Sequence, residues 1–298
     1  MLRSLKYRIA QTKARLMRRL TGPYVSGLLI DTGDCALLVD PADRVVGREL
    51  RFKGRYGDDE LQRIEALINP QSTVAFIGTH VGALAIPASR KVRKAYLVEA
   101  NPRTFAFLQR NLALNGVTNV SAHNVAVGES VGEINFVLST ANSGGSKREP
   151  QVKAAKYYYD RPDTIRVPMV PFDTLVDPID ERFDLVLMDI EGSEYFALKG
   201  MQNVLSRTET LIVEFIGHHL RNVAGVSVAE FLQPIEPHFS HLYIPSTRQH
   251  VSKADFLATL SDLYERKIND DGIVFSKSRR DLASAQLREL GIARGASS

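Results

Sequence analysis

Short apolar runs at intervals, each ending in a small or acidic residue, set the pattern of this chain. Thr73-Val74-Ala75-Phe76-Ile77 is apolar and partly β-branched, as a strand buried on both faces must be. It runs into Gly78-Thr79-His80-Val81-Gly82, a stretch of small residues with helical texture follows, and Ala95-Tyr96-Leu97-Val98 makes a second buried strand closed by Glu99. The same pattern predicts strands at 120–123, 183–188, 211–213, 241–244 and 272–275, with a further strand arm at 133–138. Helical spacing is read at 58–67, where three acids fill the first turn, at 101–114, with a proline early in its first turn, from 194, and at 256–264. Strands alternating with helices predict an α/β fold, a seven-stranded, mostly parallel, doubly wound sheet.

Ahead of that sheet, residues 2–20 place Leu2, Leu5, Ile9, Leu16 and Leu20 near helical spacing with basic residues between them, an amphipathic helix ended by Thr21-Gly22-Pro23. The runs 28–30, 35–39 and 50–52 are short and broken by turn residues such as Asp31-Thr32-Gly33-Asp34, which predicts a small β cap. The expected layout is a basic helix over 1–22, the cap and a lead-in helix over 23–70, the main domain over 71–278 and a basic tail over 279–298. Residues 139–165 show no period, which reads as a long loop that is functional or disordered, and its Tyr157, Tyr158 and Tyr159 suit either a stacking platform for an acceptor or a solvent-shielding lid.

Composition narrows the class. The single cysteine, Cys35, excludes an internal disulfide and a thiolate zinc cluster, so a reducing, cytoplasmic setting is expected. No apolar run reaches the ~18 to 20 residues of a membrane span. Residues 1–20 hold seven basic side chains and no acid, more than the whole net charge of +4, so the remainder is net negative and nucleic acid is not an expected partner. The basic helix has two readings: a peripheral contact with an anionic membrane, or packing against the domain or another chain. Oligomeric state is not read from the sequence.

The chemistry centres on residues 72–101. A strand, a glycine turn, a helix and a second strand ending in an acid make half of a nucleotide-binding unit, and Glu99 follows Gly78 by 21 residues, close to the roughly 20 expected for an acid that accepts ribose hydroxyls. Gly78 permits the sharp turn and Gly82 a close approach of backbone to ligand. The turn is G-x-x-x-G and lacks the third glycine of a pyrophosphate site, which favours a nucleoside such as S-adenosylmethionine over NAD. Asn124-Val125 follow the third strand, where a base would sit.

Several phrases together resemble the FkbM family of class I S-adenosylmethionine-dependent methyltransferases: Asp184 to Glu194 with Ala197-Leu198-Lys199-Gly200, Asn142-Ser143-Gly144-Gly145-Ser146, Val170 to Leu175, and Val98 to Pro102. The resemblance implies a Rossmann-like domain that holds S-adenosylmethionine through Gly78, Thr79, His80, Gly82, Glu99, Ala100, Asn124 and Val125. It also implies methyl transfer to a hydroxyl of a saccharide, glycolipid or secondary metabolite. Asp189, Glu191, Glu214 and His218 are the expected catalytic groups, and Asp189 with Glu214 are placed to hold Mg²⁺ if a metal takes part. The first motif departs from the family pattern: Phe76 stands where an acid is usual and His80 where an asparagine is usual. That departure leaves a second reading open, a non-catalytic domain that binds a nucleoside or a partner.

Overall fold

The computed structural model describes residues 2–176 and 182–278, the side chains of the first ten excepted. The basic tail expected at 279–298 lies outside the described residues. In chain order the leading elements are α1 (Leu2–Thr21), the hairpin β1 (Leu28–Asp31) and β2 (Ala36–Val39), α2 (Val46–Lys53) and α3 (Asp58–Leu67). The run at 50–52 is therefore helical, not the third strand of a β cap; Gly54, in the left-handed region, closes that helix by donating to Leu50.

The main unit follows with β3 (Thr73–Ile77), α4 (Ala85–Ser89), β4 (Lys94–Val98), α5 (Pro102–Leu114) and β5 (Val120–His123), then β6 (Ala126–Val127), β7 (Gly132–Leu138), β8 (Lys147–Arg148) and β9 (Asp163–Val170). It continues through β10 (Phe183–Met188), α6 (Glu194–Lys199), α7 (Gln202–Ser206), β11 (Thr208–Phe215), the single turn α8 (Gly217–His219), α9 (Val228–Leu232), β12 (His241–Ile244), β13 (Gln249–Ser252), α10 (Phe256–Arg266) and β14 (Asp270–Ser276). Local chemistry accounts for the starts: Asn101 accepts from the backbone of Arg103 and Thr104 with Pro102 at the first helical position of α5, and Ser227 and Glu230 form a reciprocal capping box on α9.

The principal sheet has the order β13-β12-β14-β11-β10-β3-β4-β5. Strands β5, β4, β3, β10 and β11 run parallel; β14 is antiparallel to both β11 and β12. It holds eight strands rather than the expected seven, because β13 folds back on β12 as an extra edge hairpin. Alternation along each strand feeds two cores. Ala75, Ile77, Val186 and Met188 face one, under α6, α7, α9 and α10, while Val74, Phe76, Leu185 and Leu187 face the other, under α3, α4 and α5.

A second sheet, order β6-β9-β7-β8, was foreshadowed only by the 133–138 arm. Of the stretch read as a long loop it takes in only Lys147-Arg148 and the first residues of β9. Tyr157 is buried, with its hydroxyl on His218, and Tyr159 packs against Ala14, Ala42 and Ala141. Tyr157 and Tyr159 are thus packed into the fold rather than set out as a stacking platform.

Candidate active site

The parallel strands end together, and a cavity of about 170 Å³ opens at their carboxyl ends. This is where ligands bind in open α/β sheets, because the loops there diverge from the sheet at the point where strand order reverses. Here β3 lies between β4 and β10, and the loops after all three strands line the cavity. The second sheet closes one side with Ile134, Phe136 and Arg148, α2 and α3 contribute Val46 and Glu60, and the connection between them contributes Tyr56.

The first wall is the turn after β3. Gly78 has φ +92°, and a Cβ there would sit 1.8 Å from the carbonyl oxygen of Asp189, so only glycine lets this turn lie against the end of β10. Gly78 and Thr79 both donate to the Val98 carbonyl. Gly82 has another role than the expected approach to ligand: it is not among the lining residues, and a Cβ there would press on Ile86 and Leu108 at 2.7–2.9 Å. It allows the turn to pack into the core.

Glu99 closes the same wall. Its carboxyl accepts from the His80 N–H at 2.8 Å and the Asn101 N–H at 2.7 Å. Burial pushes its pKa up to about 7 despite those two bonds. Ala100 and Val125 line the cavity, but Asn124 does not: its amide donates to the carbonyls of Glu99 and Ala100 and so fixes the loop that presents them.

His80 adopts φ +53°, a left-handed conformation that asparagine tolerates better than histidine. Its Nε2 lies 2.7 Å from the Ser143 hydroxyl, which in turn makes a short hydrogen bond to Asp43. Asp43 accepts, so Ser143 supplies the proton to that bond and His80 Nε2–H must be the donor to Ser143. Burial keeps the imidazole neutral by lowering its pKa. Its Nδ1 is therefore a bare acceptor, buried and without a partner. Asp43 precedes the main domain and no local pattern marked it; Ser143 belongs to the glycine-rich phrase noted in the sequence.

The opposite wall is acidic. Asp189 is exposed to the cavity, and the protein packed around it, then Glu191, raise its pKa. Glu194, raised to about 7 by burial, accepts from the N–H groups of Ile190 and Gly192. Oxygens of Asp189, Glu194 and Glu214 come within 4.8 Å of one another. Glu191, at φ +58°, pairs with Lys147 at 2.7 Å and lies 3.3 Å from His219 Nε2. On its other side His219 meets Glu214 through Nδ1 at 2.8 Å. Burial holds His219 neutral, far below its ordinary pKa, so its ring has one N–H for two carboxyl partners. Glu214, raised by burial and then by Asp189, shares the hydrogen bond with Nδ1, while Nε2 makes only the longer contact with Glu191.

The histidine in this network is thus His219 rather than the expected His218. His218 points to Tyr157, 3.2 Å from its hydroxyl, and burial lowers its pKa to about 4. Adjacent histidines on one turn gave no sequence signal to choose between them. Lys147 and Glu60 were also unmarked: Lys147 sat in a stretch read as loop, and Glu60 read as a helix-start acid, whereas it reaches the cavity and is raised to about 7 by burial.

The residues present fit a cationic nucleoside. Glu60, Glu99, Asp189 and Glu191 face the cavity against the one guanidinium of Arg148 among the described lining residues. Val98, Val125, Val127 and Phe136 offer apolar surface to a base, and His80 Nδ1 lacks a donor. The three clustered acids make a poorer cation site, since Glu194 and Glu214 already spend oxygens on backbone N–H groups and on His219.

Five parallel strands, an antiparallel β14 inserted beside β11, and a cavity at the strand ends define a class I methyltransferase fold. Residues 77–246, more than half of the chain, match the family described as Methyltransferase FkbM domain, and the chain belongs to that family. A curated relative, an uncharacterized protein of Methanocaldococcus jannaschii, is 33% identical over 57 residues, 19% of this chain and 22% of that protein. Methyltransferase FkbM from Methylobacillus flagellatus superposes with a TM-score of 0.39 at 18% identity, over 70% of this chain and 44% of that one. TYW2 of M. jannaschii in complex with AdoMet gives 0.37 at 12% identity, over 86% and 87%. The chain thus spans about a fifth of the curated relative and under half of the FkbM structure.

Proposed function

We propose that the chain is an S-adenosylmethionine-dependent methyltransferase that methylates a hydroxyl of a saccharide, glycolipid or secondary metabolite. The observation that carries the reading is the cavity itself: a glycine turn and a buried acid on one wall, a cluster of acids on the other, at the carboxyl ends of β3, β4 and β10. Bound S-adenosylmethionine supplies an electrophilic methyl group. Glu99 receives the ribose hydroxyls on the oxygen lone pairs that the two backbone N–H groups leave open. Glu60 and His80 Nδ1 offer the ammonium group an acid and an acceptor that position 76 lacks, since Phe76 lies buried between Leu97 and Leu187 in the sheet.

A hydroxyl is a weak nucleophile and must lose its proton as it reacts. Asp189 is the base, because it faces the cavity and its raised pKa makes it a stronger proton acceptor than an ordinary aspartate. Lys147 pairs with Glu191 beside it and His219 hydrogen-bonds Glu214, so both acids have protein partners without a metal. Titration calorimetry with S-adenosylmethionine, S-adenosylhomocysteine and NAD tests the reading. Heat from the first two and none from NAD is expected; no heat from either sulfur ligand would overturn it. Phe76 in the cavity favours one other reading, a binding-only member, which tight binding with no methyl transfer to any hydroxyl acceptor would establish.

A further inference from the structure

Helix α1 packs the opposite way from an ordinary amphipathic helix. Its contact with the body is made by Ala14, which is buried against Ala42 and Ala141, and by Arg18, which pairs with Asp40 at 3.6 Å. Gln11, Ala14, Met17 and Thr21 are the positions drawn in, three, three and four residues apart. At 100° per residue, Leu16 and Leu20 fall on the far side, and there they are 52% and 71% exposed. Helical spacing continues that stripe in the sequence through Ile9, Leu5 and Leu2. Exposed apolar residues go on past the helix at Tyr24 and Leu29. Lys13, Arg15 and Arg19 are exposed on the same segment, and residues 1–20 carry seven basic side chains and no acid.

A leucine stripe turned away from the core has no folding role, because it gives up the apolar burial that would fix the helix. Its basic flanks decide the occupant. A protein helix would ask for an apolar groove with mixed charge, whereas an all-cationic rim complements a surface of dense, uniform negative charge. We propose that α1 is a membrane-surface helix that lays Leu16 and Leu20 into the headgroup region of an anionic bilayer, with Lys13, Arg15 and Arg19 on the lipid phosphates. Ala141, on which the helix rests, leads into the 142–146 segment, of which Asn142, Ser143, Gly144 and Ser146 line the cavity, so the helix sits beside a segment of the cavity wall.

The test is co-sedimentation of the full chain with vesicles of phosphatidylcholine alone or with about a quarter phosphatidylglycerol, at low and high salt. Expected is pelleting with the anionic vesicles only, weakened by salt, and at least about tenfold weaker partition for the Leu16→Glu, Leu20→Glu double variant. Both positions are exposed, so circular dichroism and thermal melting should match the parent. Lys13→Glu with Arg19→Glu should also release the chain. No pelleting with anionic vesicles, or leucine variants that bind like the parent, would overturn the proposal. So would a self-association in sedimentation velocity that the leucine variants abolish while vesicle binding is absent, since the stripe would then belong to a second copy. None of these readouts depends on methyl transfer.

Discussion

Replacing Glu99 by glutamine changes one atom and tests both the cavity and its electrostatics. The carboxyl accepts two backbone N–H groups, and burial raises its pKa from 4.5 to about 7. An acid whose pKa rises on folding favours the folded state in its protonated form. That contribution is complete below pH 4.5 and is lost as pH climbs through 7. A rise of that size corresponds to about 3 kcal/mol. Glutamine does not titrate, and its amide group must confront one of the two N–H donors, a loss of about 1–3 kcal/mol. The variant should therefore be less stable than the parent at pH 5, and the gap should shrink by about 3 kcal/mol by pH 8 in urea melts. Ligand binding has the opposite sign. Ribose hydroxyls donating to Glu99 favour the carboxylate, so affinity for S-adenosylhomocysteine should rise as pH increases through 7, with proton release visible as buffer-dependent heat in calorimetry. In the variant that dependence should vanish, and affinity at pH 8 should fall about 10- to 100-fold. Affinity within twofold of the parent at pH 8, or a parent affinity that falls with pH, would refute the placement of ribose at Glu99.

Gly78→Ala should unfold the chain or cost more than about 3 kcal/mol in urea denaturation, because the added Cβ meets the Asp189 carbonyl at 1.8 Å in a left-handed turn. Lys147→Met leaves Glu191 without its cation in a buried acidic cluster, at a cost of about 3 kcal/mol; adding Glu191→Gln should recover much of it, and additive losses in the double-mutant cycle would show that the pair is not coupled. Asp189→Asn should abolish turnover on the true acceptor while leaving S-adenosylhomocysteine affinity within a few-fold, and chelation with EDTA should leave the parent's rate unchanged; a chelator-sensitive rate restored by Mg²⁺ would return a metal to the acidic cluster.

The two periodicities of the sequence determined most of the framework. Buried five-residue runs must be strands of a parallel sheet, and the acids and prolines at helix starts fixed the segments between them, so β3, β4, β5, β10 and β12 lie where the pattern predicted them. Gly78, Glu99, Asp189 and Glu191 were visible for the same reason: the ends of buried strands are where the chain changes from apolar to polar, and that change is local. What the sequence could not determine was which distant groups meet. Leu50-Arg51-Phe52 reads as a strand by composition, yet it forms the end of α2 with only Leu50 buried. The second sheet was hard to read because two of its four strands are only two residues long. Asp43 reaches Ser143 across 100 residues, Lys147 reaches Glu191 across 44, and only the fold chose His219 over His218. The outward leucine stripe of α1 is the same lesson reversed: spacing revealed an amphipathic helix, but which face would touch the body depended on Ala42 and Ala141 lying under Ala14. Strand and helix patterns arise from neighbours along the chain, whereas the charge pairs of a buried site and the face of a docked helix arise from neighbours in space.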